Sequence, residues 1–184
     1  AGDDLINGGD GDDTALMGAG NDTFVWNPGD DNDTLEGQGG TSDRMLFNGS
    51  NVAENISLTA NGGRVIFFRN VANVTMDLND TEIIEFNALG AADAIVVNDL
   101  AGTDITTVQI NLAASNGLGD GVADTVTIFG TAGADNLTLT NSGTTVTITG
   151  LAYQILITGF ESGDQLIINT LGRNDVVDGD ALDT

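Results

Sequence analysis

The chain begins with a glycine- and aspartate-rich unit of nine residues that is repeated without a break. A shortened first copy, AGDDLIN, is followed by GGDGDDTAL and MGAGNDTFV, which share the pattern Gly-Gly-x-Gly-x-Asp-x-apolar-x. The aspartates of this pattern are Asp4, Asp13 and Asp22. The glycines allow tight turns, and the apolar residue two places after each aspartate starts a short strand. Units this short can pair only with their neighbours, so they restrict the chain to a repetitive fold.

The repeat continues less regularly after residue 25. Asp33 and Asp43 hold the aspartate position of two further units, each followed two places later by an apolar residue. Beyond residue 47 the density of glycine and aspartate falls, but short segments with alternating apolar residues recur. These segments are 65–68, 74–78, 82–86, 94–97, 107–112, 125–129, 136–140, 145–149, 154–158 and 165–169. Apolar residues at every second position, bounded by Gly, Asn, Asp or Ser, indicate short strands joined by tight turns.

Antiparallel hairpins would also produce short strands, so the topology depends on the aspartate register. Five later aspartates precede an apolar residue by two positions, as in the N-terminal repeat: Asp93, Asp124, Asp135, Asp164 and Asp175. We therefore predict an all-β fold, a right-handed parallel β-roll that continues as a β-helix solenoid with about 18–22 residues per coil. Residues 1–47 are predicted to form the regular roll and residues 48–184 its degenerate continuation. Both ends fall inside aspartate-rich stretches, which predicts a piece of a longer chain.

The charge of the chain excludes several classes of partner. There are 28 acidic side chains against four basic ones, and the formal net charge is −24. Nucleic-acid binders carry basic stripes, and no apolar run approaches the roughly 18 residues of a membrane span. We therefore predict neither a nucleic-acid partner nor membrane insertion. Self-repulsion at this charge destabilises a compact state unless cations are bound.

The side chains that usually perform catalysis are missing. The chain has no His, Cys or Lys, so nucleophile–base pairs and zinc sites lack their usual residues. Glu82 and Glu85 are an odd number of places apart on a predicted strand and should point to opposite faces. We predict that the chain is not an enzyme, and that Trp26 and Tyr153 are packing residues.

Residues 1–25, and more loosely 1–47 and 130–139, resemble the hemolysin-type (RTX) calcium-binding repeats of secreted bacterial proteins. The successive segments GGDGDD and MGAGND carry the resemblance. It implies a β-roll in which several Ca²⁺ ions lie between loops stacked on the same edge. It also implies a calcium-binding structural module that folds outside the cell, as part of a larger secreted or surface-exposed protein.

The resemblance assigns metal ligands by position, as loop carbonyls from residues 8–12 and 17–21 and as carboxylates of the repeat. The metal-binding residues it implies are Asp4, Gly8, Asp10, Gly11, Asp12, Asp13, Met17, Ala19, Asn21, Asp22, Asp31, Asp33 and Asp43, with Gly2, Asp30, Asp124 and Asp135 as further candidates. Because one coil takes two repeats, Asp4, Asp22 and Asp43 should share one edge, and Asp13 and Asp33 the opposite one. Five residues stand where the repeat has its second glycine of the Gly-x-Gly pair, which argues against calcium in those later loops: Asp31, Thr41, Ala91, Ser162 and Arg173.

Two other interpretations compete with calcium binding. The acidic segment could be a solvated run of turns, although turns alone do not require glycines in phase with the aspartates. The flat faces of residues 60–170 could instead serve an adhesin or polysaccharide-binding module with a cell-surface ligand. Rows of threonine on these strands also resemble an ice-binding face, but threonine is a common outward residue of any strand.

Overall fold

The computed structural model describes residues 1–182 and shows an all-β chain built from two sheets. Strands form where apolar and polar residues alternate: nine of the ten segments predicted after residue 47 lie wholly in strands, and the segment 82–86 begins one residue before its strand. The strands are β1 Leu5–Ile6, β2 Asp13–Leu16, β3 Thr23–Trp26, β4 Asp33–Glu36, β5 Arg44–Asn48, β6 Asn55–Asn61, β7 Arg64–Arg69, β8 Val74–Asn79, β9 Ile83–Leu89, β10 Ala94–Val97, β11 Thr107–Ala114, β12 Thr125–Phe129, β13 Asn136–Ser142, β14 Thr145–Thr149, β15 Gln154–Thr158, β16 Gln165–Asn169 and β17 Val176–Ala181. A 3₁₀ turn at Val71–Asn73 precedes β8. Within residues 1–182, no helix is long and apolar enough to cross a membrane.

The two sheets share one apolar core. The first sheet has the order β1-β3-β5-β9-β11-β15-β14-β13-β17, and the second has the order β16-β12-β10-β6-β7-β8-β4-β2. Alternate side chains from both sheets are buried in the same cluster. At its centre Trp26 stacks on Phe47 with ring centroids 4.0 Å apart, and Phe67 of the second sheet lies 4.4 Å from Phe47. Trp26 and the buried Tyr153 are packing residues, as predicted.

Parallel pairing begins with the repeat itself. β1, β3 and β5 are parallel neighbours in the first sheet, and β2 and β4 are parallel neighbours in the second. Equivalent residues are 18, 20 and 21 positions apart in these pairs, within the predicted interval for one coil. The nine-residue repeat therefore places alternate units in different sheets.

The prediction of parallel pairing along the whole chain is wrong in two places. β6, β7 and β8 form an antiparallel meander within the second sheet, and β13, β14 and β15 form another within the first. Each meander opens with a hairpin whose two-residue loop starts at a left-handed glycine, Gly62 (φ 68°) or Gly143 (φ 59°). Glycine at this position favours a tight hairpin, because the turn twist matches that of the strands. Equivalent residues on either side of these insertions are about 40 positions apart, twice the predicted interval.

An asparagine ladder ties four strands of the first sheet together. The side-chain amide of Asn48 donates to Asn27 at 3.0 Å, Asn87 donates to Asn48 at 2.9 Å, and Asn111 donates to Asn87 at 3.0 Å. Each inner asparagine both donates and accepts, so the bonds polarise one another along the row. The ladder holds the strand ends in register across sequence intervals of 21 to 39 residues.

Candidate metal centre

An acidic residue stands at the start of most strands, either as the last loop residue or as the first strand residue. On the edge where the strands of the first sheet begin, these acids form a ladder. One carboxylate oxygen of Asp22 accepts the backbone N–H of Asp4, Asp43 accepts that of Asp22, and Glu82 accepts that of Asp43, each at 2.7 Å. Asp4, Asp22 and Asp43 therefore share one edge, as predicted.

The second sheet has an equivalent ladder on the edge where its strands begin. Its hydrogen bonds run from the N–H of Asp13 to Asp33 (2.9 Å), of Glu54 to Asp93 (2.8 Å), of Asp93 to Asp124 (2.8 Å) and of Asp124 to Asp164 (3.0 Å). Asp13 and Asp33 thus share the edge opposite to Asp22, again as predicted. Asp93 and Asp124 each accept the N–H of the acid on one side and donate their own N–H to the acid on the other side.

Several acids in these ladders are only half satisfied. Among residues 1–182, five aspartates have a buried Oδ2 without a hydrogen-bond partner: Asp13, Asp22, Asp33, Asp43 and Asp93. Asp22 and Asp43 are fully buried. A buried, unpaired carboxylate oxygen carries a large desolvation cost that native structures normally avoid by pairing it. This arrangement fits a bound cation, which would supply the missing partner.

Hard anionic oxygens in glycine-rich loops are what Ca²⁺ binds. No family model, no curated protein and no solved structure matches the chain. The interpretation of these loops therefore depends on their own chemistry.

Carboxylates alone do not complete a site in these loops. Within residues 1–182, no three acidic side chains lie close enough together to hold a metal ion by themselves. A coordination shell here would need other oxygens, such as the backbone carbonyls that the resemblance implies. The loops are packed closely enough to offer them, since Gly20 donates to Gly39 O at 3.0 Å and Gly2 donates to Ala19 O at 2.8 Å. A carbonyl oxygen that accepts one such bond retains a second lone pair.

The remaining predicted ligands lie further out on the same loops. Asp31 accepts the N–H of Gly11, Asp12 accepts that of Asn32, and Asn21 accepts that of Thr41. Four of these polar residues are exposed: Asp10, Asp12, Asn21 and Asp31. The side chain of Met17, in contrast, is buried in the core. Asp30 is buried and accepts from the N–H of Asn27 at 2.9 Å. The outer polar residues thus link neighbouring loops above the buried ladder.

Two acids in the ladders have carboxylate oxygens that are hydrogen-bonded to nearby side chains and backbone groups of the protein. Glu54 accepts hydrogen bonds from the buried Arg69, from the Ser50 hydroxyl and from the Ser50 N–H. Asp135 accepts both the N–H and the hydroxyl of Thr131, at 2.9 and 2.8 Å. Asp135, one of the predicted candidates, is therefore placed in a loop that has no unpaired carboxylate oxygen among its described atoms.

The sequence-based assignment missed ladder members that are glutamates. Glu54 and Glu82 stand two places before Ile56 and Ile84, in the same register as the aspartates. A search for any acid two places before an apolar residue would have found them. Asp93 and Asp164 were in register but were not assigned to metal, because their loops lack the glycine of the repeat.

Burial makes ionisation of three aspartates of the ladders unfavourable. It raises the pKa of Asp93 to about 8, against the lowering effect of the Glu54 N–H, and the charges of Asp124 and Glu54 add to the rise. Burial likewise raises the pKa of Asp33 and of Asp124 to about 6. Because these pKa values lie above those of an unfolded chain, ionisation is costlier in the folded state.

The metal-free protein is expected to lose stability as the pH rises. The folded state retains a proton on Asp93 up to about pH 8 and one on Asp124 up to about pH 6, whereas the unfolded state loses both near pH 4, so the free energy of unfolding falls with pH. Thermal midpoints in EGTA should therefore decrease from pH 5 to pH 8, and Asp93→Asn should flatten the decrease. A midpoint in EGTA that is constant or rises over this interval would contradict the prediction.

Proposed function

We propose that the chain is a calcium-binding structural module whose loops fold around Ca²⁺. The observation that carries the proposal is the row of buried carboxylate oxygens without partners at Asp13, Asp22, Asp33 and Asp43. All four stand at the aspartate position of the N-terminal units. A divalent cation would pair these oxygens and offset the repulsion between neighbouring carboxylates.

The path of the chain is the second part of this proposal. We propose that the chain winds as a right-handed parallel β-roll that runs into a β-helix, with meanders inserted at β6–β8 and β13–β15. The coil intervals of 18 to 21 residues in the first 43 residues support it. In such a coil, loops two repeats apart stack on one edge and can share a cation.

Charge explains why folding would depend on metal at this end of the chain. The first 43 residues contain ten aspartates and no basic side chain. Such a segment has too little apolar surface to order itself against its own repulsion. Each cation bound only by the folded form adds about 2.7 kcal/mol at a hundredfold excess over Kd. Binding and folding of these coils are then one event.

The middle of the chain has cations of its own. Arg69 neutralises Glu54, Arg44 pairs with Glu85 at 2.7 Å, and Arg64 pairs with Glu36 and Asp77. The apolar core is also largest here. We therefore propose that the middle coils hold their structure without metal and that the N-terminal coils order against them when Ca²⁺ binds.

The proposed setting is outside the cell, as part of a larger secreted or surface-exposed protein. Extracellular calcium modules work at roughly 10⁻⁴–10⁻³ M Ca²⁺, far above the concentrations that cytosolic sensors detect. A module with this affinity would stay partly unfolded inside the cell and would order outside it.

Circular dichroism of the whole chain tests the proposal. In EGTA we expect a reduced β-sheet signal that increases when millimolar Ca²⁺ is added, with Mg²⁺ as the control, because Mg²⁺ tolerates an irregular carbonyl-rich shell poorly. Asp22→Asn should reduce the calcium response, whereas Asp135→Asn should not. An identical β spectrum in EGTA and Ca²⁺, together with no calcium binding by calorimetry, would overturn the proposal.

A further inference from the structure

The segment of residues 89–93 contains a buried carboxylate oxygen without a hydrogen-bond partner, as the N-terminal loops do, although it lacks their sequence pattern. It connects β9 to β10 and ends at Asp93. The Asp93 side chain is 2 % exposed, and among residues 1–182 its Oδ2 has no hydrogen-bond partner. The other residues with this property are the four aspartates proposed to bind calcium.

The surroundings of Asp93 leave its charge uncompensated. Its Oδ1 accepts the N–H of Glu54 at 2.8 Å, and its own N–H donates to Asp124 at 2.8 Å. The charges of Asp124, Glu54 and Asp120 all act unfavourably on it. Arg69 is directed at Glu54 on the neighbouring loop, so its guanidinium is paired with another carboxylate.

The loop backbone is held in an unusual conformation around this carboxylate. Leu89, Gly90 and Ala91 all have positive φ, at 70°, 145° and 74°. Asp120 holds the loop from the next coil by accepting the Ala91 N–H at 2.7 Å. Ala92 is exposed, so the loop has a route to solvent. Residues other than glycine rarely adopt positive φ unless the surrounding structure imposes it.

We infer that this loop binds a further Ca²⁺ ion through Asp93 Oδ2, with loop carbonyls completing the shell. The inference rests on the proposed calcium function and extends it to a loop in which Ala91 replaces the glycine of the repeat. It departs from the sequence-based expectation that a loop with Ala91 in place of the glycine is a poor calcium site. The site is assigned by the unpaired buried oxygen of Asp93 rather than by the glycine pattern of the repeat.

Counting bound ions tests the inference. Titration calorimetry of the whole chain with CaCl₂ should give one fewer Ca²⁺ per chain for Asp93→Asn than for the wild type. The matched control is Asp135→Asn, which changes an equivalent ladder aspartate whose oxygens are paired with Thr131, and it should keep the wild-type number. Asparagine retains the acceptor for the Glu54 N–H, so the ladder contact is preserved.

The outcomes separate the two proposals. If the wild type binds no Ca²⁺, both the calcium function and the Asp93 site are overturned. If the wild type binds and Asp93→Asn keeps every ion, only the Asp93 site is overturned. Should Asp93→Asn fail to fold, crystals of the wild type grown with Tb³⁺ in place of Ca²⁺ decide the question. An anomalous peak at Asp93 Oδ2 supports the site, and peaks confined to the loops of residues 1–43 overturn it.

Discussion

Replacing Arg69 with methionine is expected to lower the free energy of unfolding by about 3–5 kcal/mol, because it leaves a buried carboxylate without its counter-charge. Arg69 is 3 % exposed and Glu54 about 1 % exposed. The Arg69 guanidinium donates to Glu54 through two nitrogens and to the Ser50 hydroxyl at 2.9 Å. It also lies 5.3 Å from the ring centre of Trp26, where a cation is attracted to the aromatic face. Urea denaturation at constant Ca²⁺ measures the loss.

Two further variants establish the cause of that loss. Adding Glu54→Gln to Arg69→Met removes the unpaired charge, so the double variant should be more stable than Arg69→Met alone. Arg64→Met removes a guanidinium paired with Glu36 and Asp77, which are partly exposed, and should cost about 1 kcal/mol or less. Equal losses for Arg69→Met and Arg64→Met would show that burial of the pair does not matter.

Gly40→Ala is expected to destabilise the N-terminal strands and loops by about 1–3 kcal/mol through steric overlap. A Cβ at position 40 would overlap the carbonyl oxygen of Gly20 on the neighbouring loop. It would also lie 3.0 and 3.1 Å from the two carboxylate oxygens of Asp43. The loops would have to separate, which would disturb the backbone from which calcium ligands are proposed. Both the urea midpoint and the gain in stability on adding Ca²⁺ should therefore fall.

The control for Gly40→Ala is Gly63→Ala, in the hairpin loop between β6 and β7. Among the described residues, nothing lies within 4 Å of a Cβ at position 63. This variant should change the free energy of unfolding by no more than about 0.5 kcal/mol, as is usual for a surface substitution. If both variants are equally stable and respond equally to Ca²⁺, the close stacking of Gly20 and Gly40 is not required.

Local pattern was sufficient to predict most strands, although it missed β6 and β17, but not all of the strand partners. Every strand predicted after residue 47 is present, because alternation of apolar residues determines which side chains can be buried on one face. The Gly62–Gly63 pair between two alternating runs indicates a hairpin, and giving it more weight than the aspartate register would have predicted the first meander. The aspartate register continues across the second meander, since Asp124 meets Asp164 on the same edge, and this agreement concealed the antiparallel strands.

The sequence by itself determined most of the strands, the aspartates that precede many of them and the grouping of Asp4, Asp22 and Asp43 on one edge. These follow from a repeat whose period sets both the turn and the face of every residue. Only the tertiary structure decided which acids are paired. Arg69 reaches Glu54 from 15 residues away, and Thr131 closes the loop of Asp135, whereas Asp93 has no such neighbour. Whether a carboxylate needs a cation depends on what packs beside it, and that is a property of the folded chain.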